Sequence, residues 1–158
     1  METLYILRHG KAAKARKGAE DFARPLTAAG RAAARKIGRY LKRERITPSL
    51  VFCSPAARAR ETLAETEAAA GQRYWTEFVP ELYMASLETL TEILEASDAE
   101  TLMLVGHNPG LHELGLSLIA EGPAKDLAAL KKKFPAGAFV EIDLVKKTLA
   151  RFVRPKSL

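Results

Sequence analysis

Apolar positions along the chain fall into two kinds of run. Short dense runs with β-branched or aromatic members predict buried strands at Thr3 to Arg8, Leu50 to Cys53, Tyr74 to Val79 and Thr101 to Val105. Between them, apolar residues recur every three or four positions, the spacing of one helix face. Ala33, Ile37, Tyr40 and Leu41 form such a stripe, with Thr27 as N-cap and a fade near Arg45 to Pro48. Ser54-Pro55 reads as an N-cap serine with proline at the first helical position, starting a helix that runs towards Ala70. Ser86 caps a third helix carrying Leu87, Leu90, Ile93 and Leu94. Leu111, Leu114 and Leu118 mark a fourth, and a shorter one covers roughly Ala124 to Lys133. Phe139 to Val145 and Thr148 to Val153, joined across Lys146-Lys147, predict a terminal hairpin.

Strand and helix thus alternate three times before a last helix and the hairpin. That order predicts an α/β three-layer sandwich: a mostly parallel central sheet with helices on both faces and a C-terminal hairpin. At 158 residues the chain suits one domain with a real core. Between Glu81 and Thr101, and between Pro109 and Ala138, there is only enough chain for the helices already assigned. No insertion is left to form a lid, so a shallow, open site is expected.

Composition narrows the partners. No apolar span reaches membrane length and Met1 leads almost directly into a strand, so a cytoplasmic protein without membrane contact is expected. Cys53 is the only cysteine, which precludes an internal disulfide. The formal charge is +6, yet aromatic residues make up 7% and no helix interleaves them with a basic face. Nucleic acid is therefore not the expected partner, and a monomer is the expected state.

Chemistry enters at the strand exits. The first strand ends in Arg8-His9-Gly10, the second leads to Arg58, and the fourth ends in Gly106-His107-Asn108-Pro109. In a parallel sheet these exits share one edge, the edge where ligands bind. Arg58 lies in the first turn of its helix, where the macrodipole opposes a cation, so an anion is expected beside it. Arg60 is read as pointing into water. The connection Lys11 to Pro25 is long, and Lys11, Lys14, Arg16, Lys17 and Arg24 bring positive charge near the first exit, partly offset by Glu20 and Asp21. Two histidines and two arginines at one point can hold a phosphoryl group from several sides. A neutral histidine among them can attack phosphorus, with neither metal nor cofactor required.

Two other chemistries fail on spacing. A cysteine phosphatase needs Cys-x5-Arg, whereas Cys53 precedes Arg58 by x4 and Arg60 by x6. His107 and His112 are five apart, outside the i, i+4 pattern of a helical zinc site, and His112 is expected on an exposed helix face.

The four ordered segments Arg8-His9-Gly10, Arg24-Pro25-Leu26-Thr27-Ala28-Ala29-Gly30, Ser54-Pro55 with Arg58, and Val105-Gly106-His107-Asn108-Pro109 resemble the histidine phosphatase superfamily, the phosphoglycerate-mutase-like proteins. The second segment is similar to that of the small SixA-type phosphohistidine phosphatases. The resemblance implies His9 as nucleophile and Arg8, Arg58 and His107 as the phosphate pocket. It adds Asn108 through its backbone amide, Arg24 on the substrate and Glu81 as the nearest match to the general acid. Larger relatives carry an asparagine soon after Arg-His-Gly; Lys11 to Gly18 contain none. The implied activity is phosphatase action on phosphohistidine in a protein, with small phosphate esters or sugar phosphates as the alternative substrates. A non-catalytic anion- or nucleic-acid-binding module is the alternative from another class.

Overall fold

A computed structural model describes residues 1–158. Six strands form one sheet: β1 (Thr3–Arg8), β2 (Leu50–Cys53), β3 (Thr76–Phe78), β4 (Thr101–Gly106), β5 (Phe139–Asp143) and β6 (Thr148–Val153). Their spatial order is β3-β2-β4-β1-β5-β6. The first four in that order run parallel, and the terminal hairpin joins antiparallel to β1. Five helices cover the sheet: α1 (Ala28–Glu44), α2 (Ala57–Ala70), α3 (Leu87–Glu95), α4 (Gly110–Leu118) and α5 (Ala124–Lys132).

Alternation along the strands divides the core into two layers. Leu4, Ile6, Leu102, Leu104, Val140 and Ile142 pack with Leu90, Leu111, Leu114 and Leu130 of α3, α4 and α5. Tyr5, Leu7, Val51, Cys53, Met103 and Val105 face the other way, onto Ile37, Leu41, Ala59 and Leu63 of α1 and α2. Cys53 is therefore a core side chain, and burial pushes its thiol up to about 12. This is the three-layer α/β sandwich that the alternating runs predict. No helix is long and apolar enough to cross a membrane.

Thr27 and Ser86 accept from the backbone amides of Gly30 and Thr89, as N-caps should. Four local expectations need correction. The helix after Ser54 begins at Ala57, with Ala56 in the cap position, because the Ser54 amide still donates to Val105 O beside β4 and Ala56 is not yet helical at φ −57°, ψ 142°. The third strand shrinks to Thr76–Phe78, since the Tyr74 amide donates to the Glu67 carboxylate and leaves the ladder. The hairpin turn starts at Leu144, so the fifth strand stops at Asp143. His112 is half-buried, its Nε2 bound to the Leu130 carbonyl at 2.6 Å.

One close crossing positions the rest. Gly10, just past β1, lies against Gly30 in the first turn of α1. A Cβ on Gly10 would come within 2.8 Å of the Gly30 carbonyl oxygen, and one on Gly30 within 2.4 Å of the Lys11 carbonyl oxygen. Both positions need a residue without a side chain.

Candidate active site

The strand exits converge because β1, β4 and β2 are neighbours that end level: Arg8 pairs with Gly106, and Cys53 with Val105. The backbone fixes this edge from several directions. The His9 amide donates to Gly106 O at 3.0 Å, and its carbonyl accepts from Gly137 at 2.9 Å. The Gly10 amide donates to Thr62 Oγ1, whose hydroxyl donates in turn to Arg58 O. The first exit is thereby tied to the helix that carries Arg58.

His9 Nδ1 lies 2.7 Å from Gly10 O. A carbonyl only accepts, so Nδ1 carries the hydrogen and Nε2 keeps its lone pair. Burial pushes the His9 pKa down to about 4, against the pull of the Gly10 bond and with help from Arg58, Arg8 and Arg24. The ring is neutral at physiological pH, as a nucleophile must be.

The His107 ring is centred 5.1 Å from that of His9. Its pKa falls to about 3, first through burial, then through repulsion from His9 once that ring is protonated, and through the charge of Arg58. Its Nε2 lies 2.7 Å from Ser54 Oγ, which also accepts from the Ala56 amide at 3.3 Å. The Ser54 hydroxyl hydrogen has no other acceptor in the structure, so we assign it to Nε2. That places the ring hydrogen on Nδ1, which has no partner. The buried side-chain polar atoms without a partner are His107 Nδ1, Arg8 Nε and Asn108 Oδ1, all in this one place. Two of the three are donors, the complement of an anion.

Arg58 is 3% exposed. Its guanidinium donates to the Asp21 carbonyl at 2.8 Å and the Asp21 carboxylate at 3.0 Å, and lies over the Tyr83 ring. Arg8 Nη1 donates to Phe134 O at 2.9 Å. Asn108 Nδ2 donates to the same carbonyl at 3.0 Å, so its side chain braces the wall of the cleft. Arg24 donates from Nε to Ala13 O and from Nη1 to Asp21. Around them opens a cleft of about 370 Å³ lined by Arg8, His9, Lys11, Arg24, Arg58 and Asn108, with exposed Met84 and Asp21 at its rim.

Glu81 is the predicted site residue that the fold leaves out. It sits exposed in the 3-10 turn Pro80–Leu82 and does not line the cleft. The carboxylate at the cleft is Asp21, whose charge along the sequence does no more than offset neighbouring lysines and arginines. The Tyr83 hydroxyl donates to it, and with Arg24 and Arg58 this holds the Asp21 carboxyl well below the usual carboxylate range. Tyr83 also packs its ring edge-on against His107. Asp21, Tyr83 and Ser54 were missed as site residues. Only Ser54 had a local signal, read as a helix cap. Arg60 is exposed, as expected.

The arrangement can bind a tetrahedral oxyanion among fixed cations and present an unprotonated imidazole nitrogen to it. No group of three or more His, Cys, Asp or Glu side chains is gathered to hold a metal ion.

Comparison with known proteins agrees with this geometry. Residues 4–101 match the histidine phosphatase superfamily (branch 1). An uncharacterized Mycobacterium tuberculosis protein is 34% identical over 133 residues, covering 82% of this chain and 81% of its own. A solved structure from Agrobacterium tumefaciens, provisionally named phosphohistidine phosphatase SixA, superposes with a TM-score of 0.85 at 33% identity over 98% of both chains. A similarly named structure from Nakamurella multipartitia gives 0.72 at 30% identity, over 89% of this chain and 83% of that one.

Proposed function

The chain belongs to the histidine phosphatase superfamily, and from that premise we propose that it removes phosphate from phosphohistidine on a protein, through a phosphoryl group carried briefly on His9. His9 Nε2 attacks phosphorus as the bond to the substrate's imidazole nitrogen breaks. That nitrogen takes the electron pair and a proton from a water molecule. The oxygen of that same water then attacks phosphorus, the bond to His9 Nε2 breaks with its electron pair returning to the ring, and inorganic phosphate leaves. Arg8, Arg58 and His107 Nδ1 would hold the equatorial oxygens throughout, and Arg24 would add charge at the rim.

The observation that carries this reading is the state of the carboxylates. A departing alkoxide needs a placed acid. Asp21 is ionised and bound by two arginines and a tyrosine, and Glu81 stands outside the cleft. Imidazole is a far better leaving group and needs less help. The bisubstrate comparison is direct: initial rates on a phosphohistidine peptide and on an alkyl phosphate, with acid- and base-stability of the trapped phosphoenzyme. We expect a strong preference for the peptide and an acid-labile, base-stable phosphoenzyme. Faster cleavage of a sugar phosphate would make the protein a small-molecule phosphatase instead.

A further inference from the structure

The catalytic cleft is the middle of a longer cationic trough. On one side it shares Arg24 with a cavity of about 350 Å³ that also holds Lys14 and Arg16. On the other it shares Ala136 with a groove of about 470 Å³ lined by Lys132, Lys133, Arg154 and Lys156. Along all three, Asp21 is the one carboxylate in the lining. None of the four groove cations makes a salt bridge, whereas Arg31, Arg35 and Arg151 elsewhere are matched to Glu61, Glu65 and Glu141. The wall between groove and cleft is held firmly: Phe134 O accepts from both Arg8 and Asn108, and the Gly137 amide donates to His9 O. The groove therefore stands at a fixed place relative to the nucleophile.

We propose that this groove docks a carboxylate-rich surface of the protein that presents the phosphoryl group, a reading that rests on the phosphoprotein substrate proposed above. Unpaired cations beside a phosphate site favour an anionic partner, and three exposed lysines spread along a groove suit several mobile carboxylates. Single-stranded nucleic acid would want exposed aromatic rings to stack on. The exposed Trp75 and Phe78 lie beside β2 at one edge of the sheet, while Arg154 follows β6 at the other.

The test uses the 158-residue protein and its variant Lys132→Gln, Lys133→Gln, Lys156→Gln. All three positions are exposed and outside the catalytic machinery. Substrates are two phosphohistidine peptides, one flanked by aspartates and one by serines, together with the small phosphoramidate ion. Wild type should favour the aspartate peptide about tenfold in kcat/KM, chiefly through KM. High salt should erase the preference. The triple variant should lose it while cleaving the phosphoramidate ion at the wild-type rate. Equal use of both peptides by wild type, or parallel loss on phosphoramidate, overturns the groove. If neither peptide is cleaved but p-nitrophenyl phosphate is, the substrate reading has failed, and the unphosphorylated aspartate peptide decides the groove. Binding that the three substitutions abolish then supports docking, and no binding overturns it. Tighter binding of a single-stranded oligonucleotide, lost in the same variant, also overturns it.

Discussion

Arg8, His9, Arg58 and His107 stand where adjacent parallel strands end, on backbone that the sheet ladder and buried bonds hold. Asp21 and Arg24 reach the same cleft on the connection from Lys11 to Pro25, which the Ala12–Leu26 bridge and a handful of hydrogen bonds secure. The Arg58 side chain is 4% exposed and its partner Asp21 48%. Floor and rim therefore divide the work. The floor is fixed by the sheet ladder, as the geometry of a reaction requires, and the rim stands in solvent, where an arriving anion first meets it. Changes to the floor should appear in the chemical step, and changes to the rim in binding.

The largest effect belongs to His9→Ala, which should lower turnover by at least about 10³-fold and abolish the phosphoenzyme while circular dichroism stays unchanged. Activity within tenfold of wild type would remove His9 from the nucleophile role. Arg58→Lys keeps the charge but loses the planar fork, so kcat should fall roughly ten- to a hundred-fold. An effect confined to KM would put Arg58 with the rim.

The neutral floor also fixes a pH response. At pH 5.5 an ordinary histidine is about nine-tenths protonated, whereas His9, depressed to about 4, stays almost wholly neutral. NMR titration of His9 and His107 ring carbons should therefore show midpoints well below 6.5. The sign for stability follows. The unfolded chain takes up protons below its ordinary value while the folded rings do not, so stability falls as pH drops from 6.5 towards 4. Thermal melts across that window check it; a flat profile would contradict the burial.

Rim substitutions should be gentler. Asp21→Asn removes a negative charge beside the bound anion, so inorganic phosphate should inhibit about fivefold more tightly, with kcat changed less than by Arg58→Lys. Glu81→Gln should alter phosphohistidine cleavage by less than about twofold, since the side chain stands clear of the cleft. A drop as large as that of Arg58→Lys would mean that Glu81 swings in during turnover.

What the sequence disclosed follows the same division. Strands, helices and the level exits were legible because buried strands and amphipathic helices impose local periods on their residues. His9 and His107 stood out at strand ends for the same reason. Asp21 and Tyr83 did not, because 62 residues separate them and neither period constrains where a rim connection comes down. Ser54 was misread for a subtler reason. A serine before proline signals a helix cap, and here the hydroxyl serves a histidine from another strand. Glu81 enters through the family resemblance as the nearest match to an acid, and nearness along the chain carries no direction in space.

The contact between Gly10 and Gly30 sets a limit on how this protein can vary. Saturation libraries at either position should return glycine alone among active clones, because any Cβ drives the residue after His9 into a surface helix. The two sites form one unit of inheritance: the long helix α1 can come no closer without pushing on the backbone beside His9. An engineer wishing to regraft that helix, or replace it with a binding element, would need to carry the glycine and its approach angle along.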